Sequence, residues 1–169
     1  FIILFFQSLE WPVILTNSNP QSIIMSNIVP TISSGVAGPL GVLHLPRFWQ
    51  KASLGAAGKL HNEYPACGDG YDQMTLDALG LDKDATLAQI AESKPSYVEF
   101  EAWVKSNMKA DADIAAHNAA VEGYIHDDGT RAEIFECASL SDDSCAARDA
   151  VNLNNLDDWA IFHKEEIAG

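Results

Sequence analysis

The chain has 169 residues, 47% of them hydrophobic, and a formal charge of −14, which allows one sizeable core and is too short for two full domains. The charge is uneven: residues 25–60 hold Arg47, Lys51 and Lys59 with no acid, whereas residues 61–169 hold 23 acids against 7 bases. Such a surface repels phosphate backbones and anionic lipid, so neither a nucleic acid nor a membrane is an expected partner.

The first 24 residues, "FIILFFQSLEWPVILTNSNPQSII", contain no Lys or Arg, and Glu10, Trp11 and Pro12 break the apolar run. They therefore lack the basic start and uninterrupted core of a signal peptide, and the ~20 apolar residues of a membrane span. Residues 1–24 read as upstream sequence translated ahead of Met25, with a clipped export signal as the alternative. Residues 25–40, charge-free and rich in Ser, Gly and Pro, read as a flexible N-terminus. The remainder, 41–169, reads as a compact, single all-α domain of six or seven short helices, with no alternating strand pattern.

Pro46 suits the first turn of a helix over 46–57, which Gly55 or Gly58 can end in a left-handed cap. Asp69 can cap a second helix, 70–79, terminated by Gly80, with Tyr71, Met74, Ala78 and Leu79 inward. Asp84 can cap a short third helix through Leu87, Ile90 and Ala91. In "PSYVEFEAWVK", Ser96 and Glu99 form a capping box ahead of Tyr97, Phe100, Trp103 and Val104 at helical spacing, with Glu101 and Lys105 paired on the solvent side. A fifth helix over 112–125 aligns Ile114, Asn118, Val121 and Ile125. Thr130 and Glu133 suggest a sixth capping box before Ile134, Phe135 and Ala138, and Asn155 a cap before Leu156, Trp159, Ala160, His163 and Ile167.

The chemistry-bearing residues give few fixed patterns. The five histidines form no HxH or HExxH spacing, and "HDDGTRAE" does not match a calcium loop, so no metal is expected; Asp127 and Asp128 read as turn and cap residues. Three cysteines without CxxC spacing, Cys67, Cys137 and Cys145, read as reduced thiols. Trp49, Trp103 and Trp159 read as core or rim packing.

Cys67 lies before a helix, where a thiol can be activated, with His44 or His61 as base, although a free cysteine is more often an inert buried hydrophobe. His44, Arg47, Asp69 and Asp72 are close in sequence and expected to be close in space. Arg47 paired with Asp72 or Asp69 would be structural. Alternatively, Arg47 and the free N–H groups of the second helix would hold a small anion. His117 and Asn118 place polar groups on the inner face of the fifth helix.

"HLPRFWQKASLGAAGKL", "YPACGDGYDQMTLDALGLDKDATLAQI", "FEAWV", "HN" and "RDAVNLNNLDDWAIFHKE" together resemble a bacterial family of unknown function of about 140 residues, the size of one domain, and the resemblance covers residues 41–166. Members often read Cys-Pro-Leu-Asp where this chain has Cys67-Gly-Asp-Gly-Tyr-Asp72, and Trp-Asn where it has His117-Asn118. The resemblance implies a cytoplasmic protein beginning near Met25 and transfers no activity. The expectation is a non-catalytic domain that binds a protein partner or small ligand without a cofactor, its candidate ligand residues being His44, Arg47, Cys67, Asp69, Asp72 and Asn118. The alternative is a small enzyme whose polar pocket gathers His44, Arg47, Cys67 and Asp72.

Overall fold

The computed structural model describes residues 27–168, so the reading of residues 1–24 lies outside it. Among the described residues are seven α-helices: α1 (Leu45–Ala56), α2 (Tyr71–Leu79), α3 (Lys83–Ser93), α4 (Tyr97–Asn107), α5 (Ile114–Gly123), α6 (Asp128–Cys137) and α7 (Ala150–Phe162). A 3₁₀ turn, Asp142–Ser144, precedes α7, and a π turn, His163–Ile167, extends it. Extended pairing among them is limited to two isolated bridges, Ile28 with Leu60 and Ala37 with Leu43. No helix among them is long and apolar enough to cross a membrane.

The helix caps explain most boundaries. Ser96 accepts from Glu99 N while the Glu99 carboxylate returns to Ser96, completing the expected capping box. Gly80 ends α2 at φ 69°, a left-handed turn that glycine takes without penalty. Four expected caps are displaced. Asp82, not Asp84, caps α3, and Asp127, not Thr130, caps α6. Asp149, not Asn155, caps α7, which thereby begins earlier, and Gly70, not Asp69, precedes α2. In the first three, an aspartate at the turn entrance reaches the orphan N–H groups that the suggested residue, already inside the helix, cannot.

α1 packs against α2, α3 and α4, and their side of the molecule holds the main core: Leu45, Phe48, Ala52, Leu76, Leu79, Ile90, Phe100 and Val104. Phe48 and Phe100 meet at 6.1 Å between ring centres, and Trp103 stacks on Phe100 with the ring planes 18° apart. α2 packs on α5, α5 on α7, and α7 on α6 around a smaller cluster of Ile134, Phe135 and Leu153.

Several buried faces differ from those that hydropathy suggests. α2 buries Asp72, Thr75 and Leu76 with Leu79, while Met74 and Ala78 are half-buried. Glu101 is buried rather than solvent-facing, accepting from Leu40 N at 3.0 Å and the Tyr97 hydroxyl at 2.8 Å. Gly38 permits this approach, because a Cβ there would stand 2.3 Å from that hydroxyl oxygen. Ile125, Trp159 and Ile167 are exposed, Trp159 at 60%. Residues 27–40, whose composition suggests flexibility, carry contacts to the helices: Ile28 pairs with the backbone of Lys59 and His61, and Gln50 accepts from Ile32 N.

Candidate functional site

His44, Arg47 and Lys51 lie three and four positions apart, and so share one face of α1, beside the stripe carrying Phe48 and Ala52. This polar face forms the floor of a cleft of about 400 Å³. Its walls come from loop 63–70, the start of α2, the link between α5 and α6, and α7, contributing among others Tyr64, Tyr71, Tyr124, His126, Asn154 and Asp157.

Each basic residue of α1 ends on a buried carboxylate. Asp158 accepts from Arg47 through both oxygens, at 2.6 and 2.9 Å, and from the Tyr64 hydroxyl at 2.9 Å. The same guanidinium donates to the carbonyls of Pro30 and Ile32 and lies 5.9 Å from the centre of the Tyr64 ring. Burial pushes the Asp158 carboxyl up, with Arg47 and Tyr64 pulling against it. Burial likewise raises the Tyr64 hydroxyl, beside the Asp158 charge, so it stays protonated and donates.

Asp72 is the second centre. It accepts from Lys51 Nζ at 2.5 Å, from Gly68 N at 2.7 Å and from His44 Nε2 at 2.8 Å. Burial alone would raise its pKa; the His44 hydrogen bond and the Lys51 charge overcome that and hold the carboxyl at about 2. Burial pushes the His44 imidazole below its ordinary value, against the pull of Asp72. The imidazole is therefore neutral near pH 7, and its one proton sits on Nε2, between nitrogen and carboxylate.

His44 itself stands at φ 67°, immediately before α1, a left-handed conformation that non-glycine residues rarely adopt. The preceding loop is clamped from α5: Asn118 accepts from Leu43 N and donates to Gly41 O, and His117 Nε2 meets Leu43 O at 3.1 Å. Asn118 thus positions the entrance of α1 and does not line the cleft.

The two remaining cleft carboxylates are unlike these. Glu63 is exposed at the rim and Asp157 half-buried, and neither has a cationic partner within 4 Å among the described residues. Burial, with the neighbouring charges of Asp158 and Glu63, pushes the Asp157 carboxyl above its ordinary value, against a hydrogen bond from Cys137. A row of rings runs from His44 to Tyr71 (5.2 Å), Tyr71 to Tyr124 (5.4 Å) and Tyr124 to His126 (5.7 Å). Asn154 fixes the last ring at 2.7 Å.

Of the residues singled out in the sequence, the cleft brings together His44, Arg47 and Asp72 and leaves out Cys67, Asp69 and Asn118. Arg47 pairs with Asp158 rather than Asp72 or Asp69, because Lys51, one turn further along α1, occupies Asp72. Asp69 is fully exposed, 3.6 Å from Lys83. Cys67 is buried in the main core, where desolvation and the Asp72 charge push its thiol up. Among the described residues no histidine stands within hydrogen-bond reach of the thiol, which faces Gly68 O instead. Of the donors expected for an anion, Arg47 is taken by Asp158, and the Gly68 amide just before α2 is taken by Asp72.

Lys51, Tyr64, Tyr71, Tyr124, Asp157 and Asp158 are among the lining residues that pattern reasoning missed. Lys51 was legible from its spacing to His44 and Arg47; Asp158 lies 111 residues from Arg47 and carried no local signal. Among the described residues no group of three or more His, Cys, Asp or Glu is arranged to hold a metal ion. No curated protein matches the chain. A family model described as a domain of unknown function (DUF5069) matches residues 32–158. That match spans the carbonyl of Ile32, all of α1 and the carboxylate of Asp158, the three parts joined by Arg47. The chain belongs to this family of domains of unknown function.

Proposed function

We propose that the domain is a binding module for a small organic cation, which enters the cleft between α1, α2 and α7. The observation that carries this reading is the division of labour among the cleft charges. Four carboxylates, Glu63, Asp72, Asp157 and Asp158, face two cations, Arg47 and Lys51, and both cations are bound by Asp158 and Asp72. Glu63 and Asp157 are left as acceptors of positive charge in the cleft that Tyr71 and Tyr124 also line. Rings and carboxylates around one space suit an ammonium group, which gains from both. An anion would have to displace Asp158 or Asp72 from buried partners, which costs more than it returns. Three free thiols, Cys67, Cys137 and Cys145, support a cytoplasmic setting as part of the same proposal.

Calorimetric titration with n-butylammonium and, separately, butyrate tests the reading. The ammonium ion binds and raises the melting temperature, with a stabilisation of about 2.7 kcal/mol at a hundred times its Kd; preference for butyrate would overturn it. Binding draws on the ionised form of Asp157, whose pKa is raised, so affinity falls as pH drops through that carboxyl and Asp157→Asn removes that part of the pH dependence.

A further inference from the structure

Among the described residues, four buried polar side-chain atoms lack a hydrogen-bond partner: Ser34 Oγ, Ser53 Oγ, His117 Nδ1 and His44 Nδ1. Only His44 among them lines the cleft. An orphan nitrogen alone does not mark a site, as His117 shows on the far side of the entrance loop. His44 differs because its state and position are both imposed. A ring nitrogen 2.8 Å from a carboxylate that also holds Lys51 must carry the proton between them, so Nε2 is the donor. Burial, with Arg47 and Lys51 beside the ring, disfavours a second proton, and Nδ1 is left as a bare lone pair. The left-handed backbone at φ 67° fixes the ring's approach, and the Asn118 clamp holds that backbone. A buried acceptor without a donor is destabilising unless something supplies the donor.

We infer that His44 Nδ1 accepts a hydrogen bond from the ligand's own N–H, so that the cleft selects primary and secondary ammonium ions over quaternary ones of the same charge. The inference rests on the cation reading of the cleft and narrows it. Carboxylates and tyrosine rings attract any organic cation; a bare imidazole nitrogen rewards only one that brings a proton. Asp72 is the positioning residue: it holds the tautomer and does not touch the ligand.

Nitrogen-15 NMR of the imidazole, on the full chain at neutral pH, tests this without any substitution. The free protein shows His44 protonated at Nε2 and bare at Nδ1. Addition of n-butylammonium moves the Nδ1 signal towards that of a hydrogen-bonded nitrogen, and n-butyltrimethylammonium binds about tenfold more weakly, the equivalent of one hydrogen bond, leaving Nδ1 unmoved. A proton on Nδ1 in the free protein, or saturation by n-butylammonium without movement of Nδ1, overturns the inference. Equal affinity for the two ions with Nδ1 unmoved leaves the cation reading standing and defeats this one; no binding of either ion defeats both. His44→Phe, if its melt shows it folded, loses the discrimination between the two ions; retained discrimination counts against the inference, and the wild-type spectra decide it if the variant does not fold.

Discussion

The two faces of α1 are stabilised by opposite means. Phe48 and Ala52 enter a core shared with α2, α3 and α4, where fit and desolvation do the work. His44, Arg47 and Lys51, on the other face, are almost as fully buried, yet each is held by a carboxylate from another element. Apolar burial stabilises whatever fills the space, whereas a buried charge is tolerated only with its own partner in place. A domain whose needs were structural could have filled the second face with leucine at less risk. The expense of a four-charge network around an open cleft fits a site better than a seam.

Substitutions on the two faces test this contrast. Phe48→Ala should lose about 3–5 kcal/mol in a urea titration, the cost of a large cavity among fully buried neighbours; a loss below about 1 kcal/mol would mean the core collapses around it and is not close-packed. Arg47→Ala should lose about 2–3 kcal/mol, since Asp158 loses its cation but keeps the Tyr64 hydroxyl on the cleft wall. Adding Asp158→Leu should recover part of that loss, whereas the same second change in wild type should not; strict additivity would show that the two residues are not coupled.

Asp72 gives the contrast a pH signature. Its carboxyl sits at about 2 in the folded chain against an ordinary value of 3.8, so the unfolded state takes up the proton first as the solution is acidified. The stability it contributes, about 2 kcal/mol, is present above pH 4 and lost as pH falls from there towards 2. Chemical denaturation of wild type and Asp72→Asn across that range should show the gap between them closing; a gap that persists at pH 2 would assign the effect to packing. The smallest effect belongs to Trp159→Ala, at 60% exposure on the outer side of α7, which should shift stability by no more than about 0.5 kcal/mol. A larger loss would show that this ring is covered in solution.

The helices could be read from the chain because local signals write them: Ser96 with Glu99, Pro46 at an entrance, Gly80 at an exit. Their orientation about their own axes was less legible. Hydropathy assigns the inward face by asking where apolar residues fall, and here Asp72, Glu101, Arg47, Lys51 and Asp158 are inside while Val98 and Trp159 are outside. Those carboxylates and cations are buried because of partners on other elements, and no pattern within one helix records a partner. His44, Arg47 and Asp72 could be named as neighbours because 28 residues or fewer separate them; Asp158 and Tyr124, much further along the chain, could not. The family resemblance included Asp158 within "RDAVNLNNLDDWAIFHKE" without indicating what it meets.

The bond between Arg47 and Asp158 also sets an order of events during synthesis. α1 and the elements that make the main core leave the ribosome well before α7, so the emerging chain can gather its apolar residues while the guanidinium has only the carbonyls of Pro30 and Ile32. Until the last helix arrives, one flank of α1 must stay wet. α7 is therefore a latch: its docking brings Asp158 to Arg47 and lets the charged flank of α1 close.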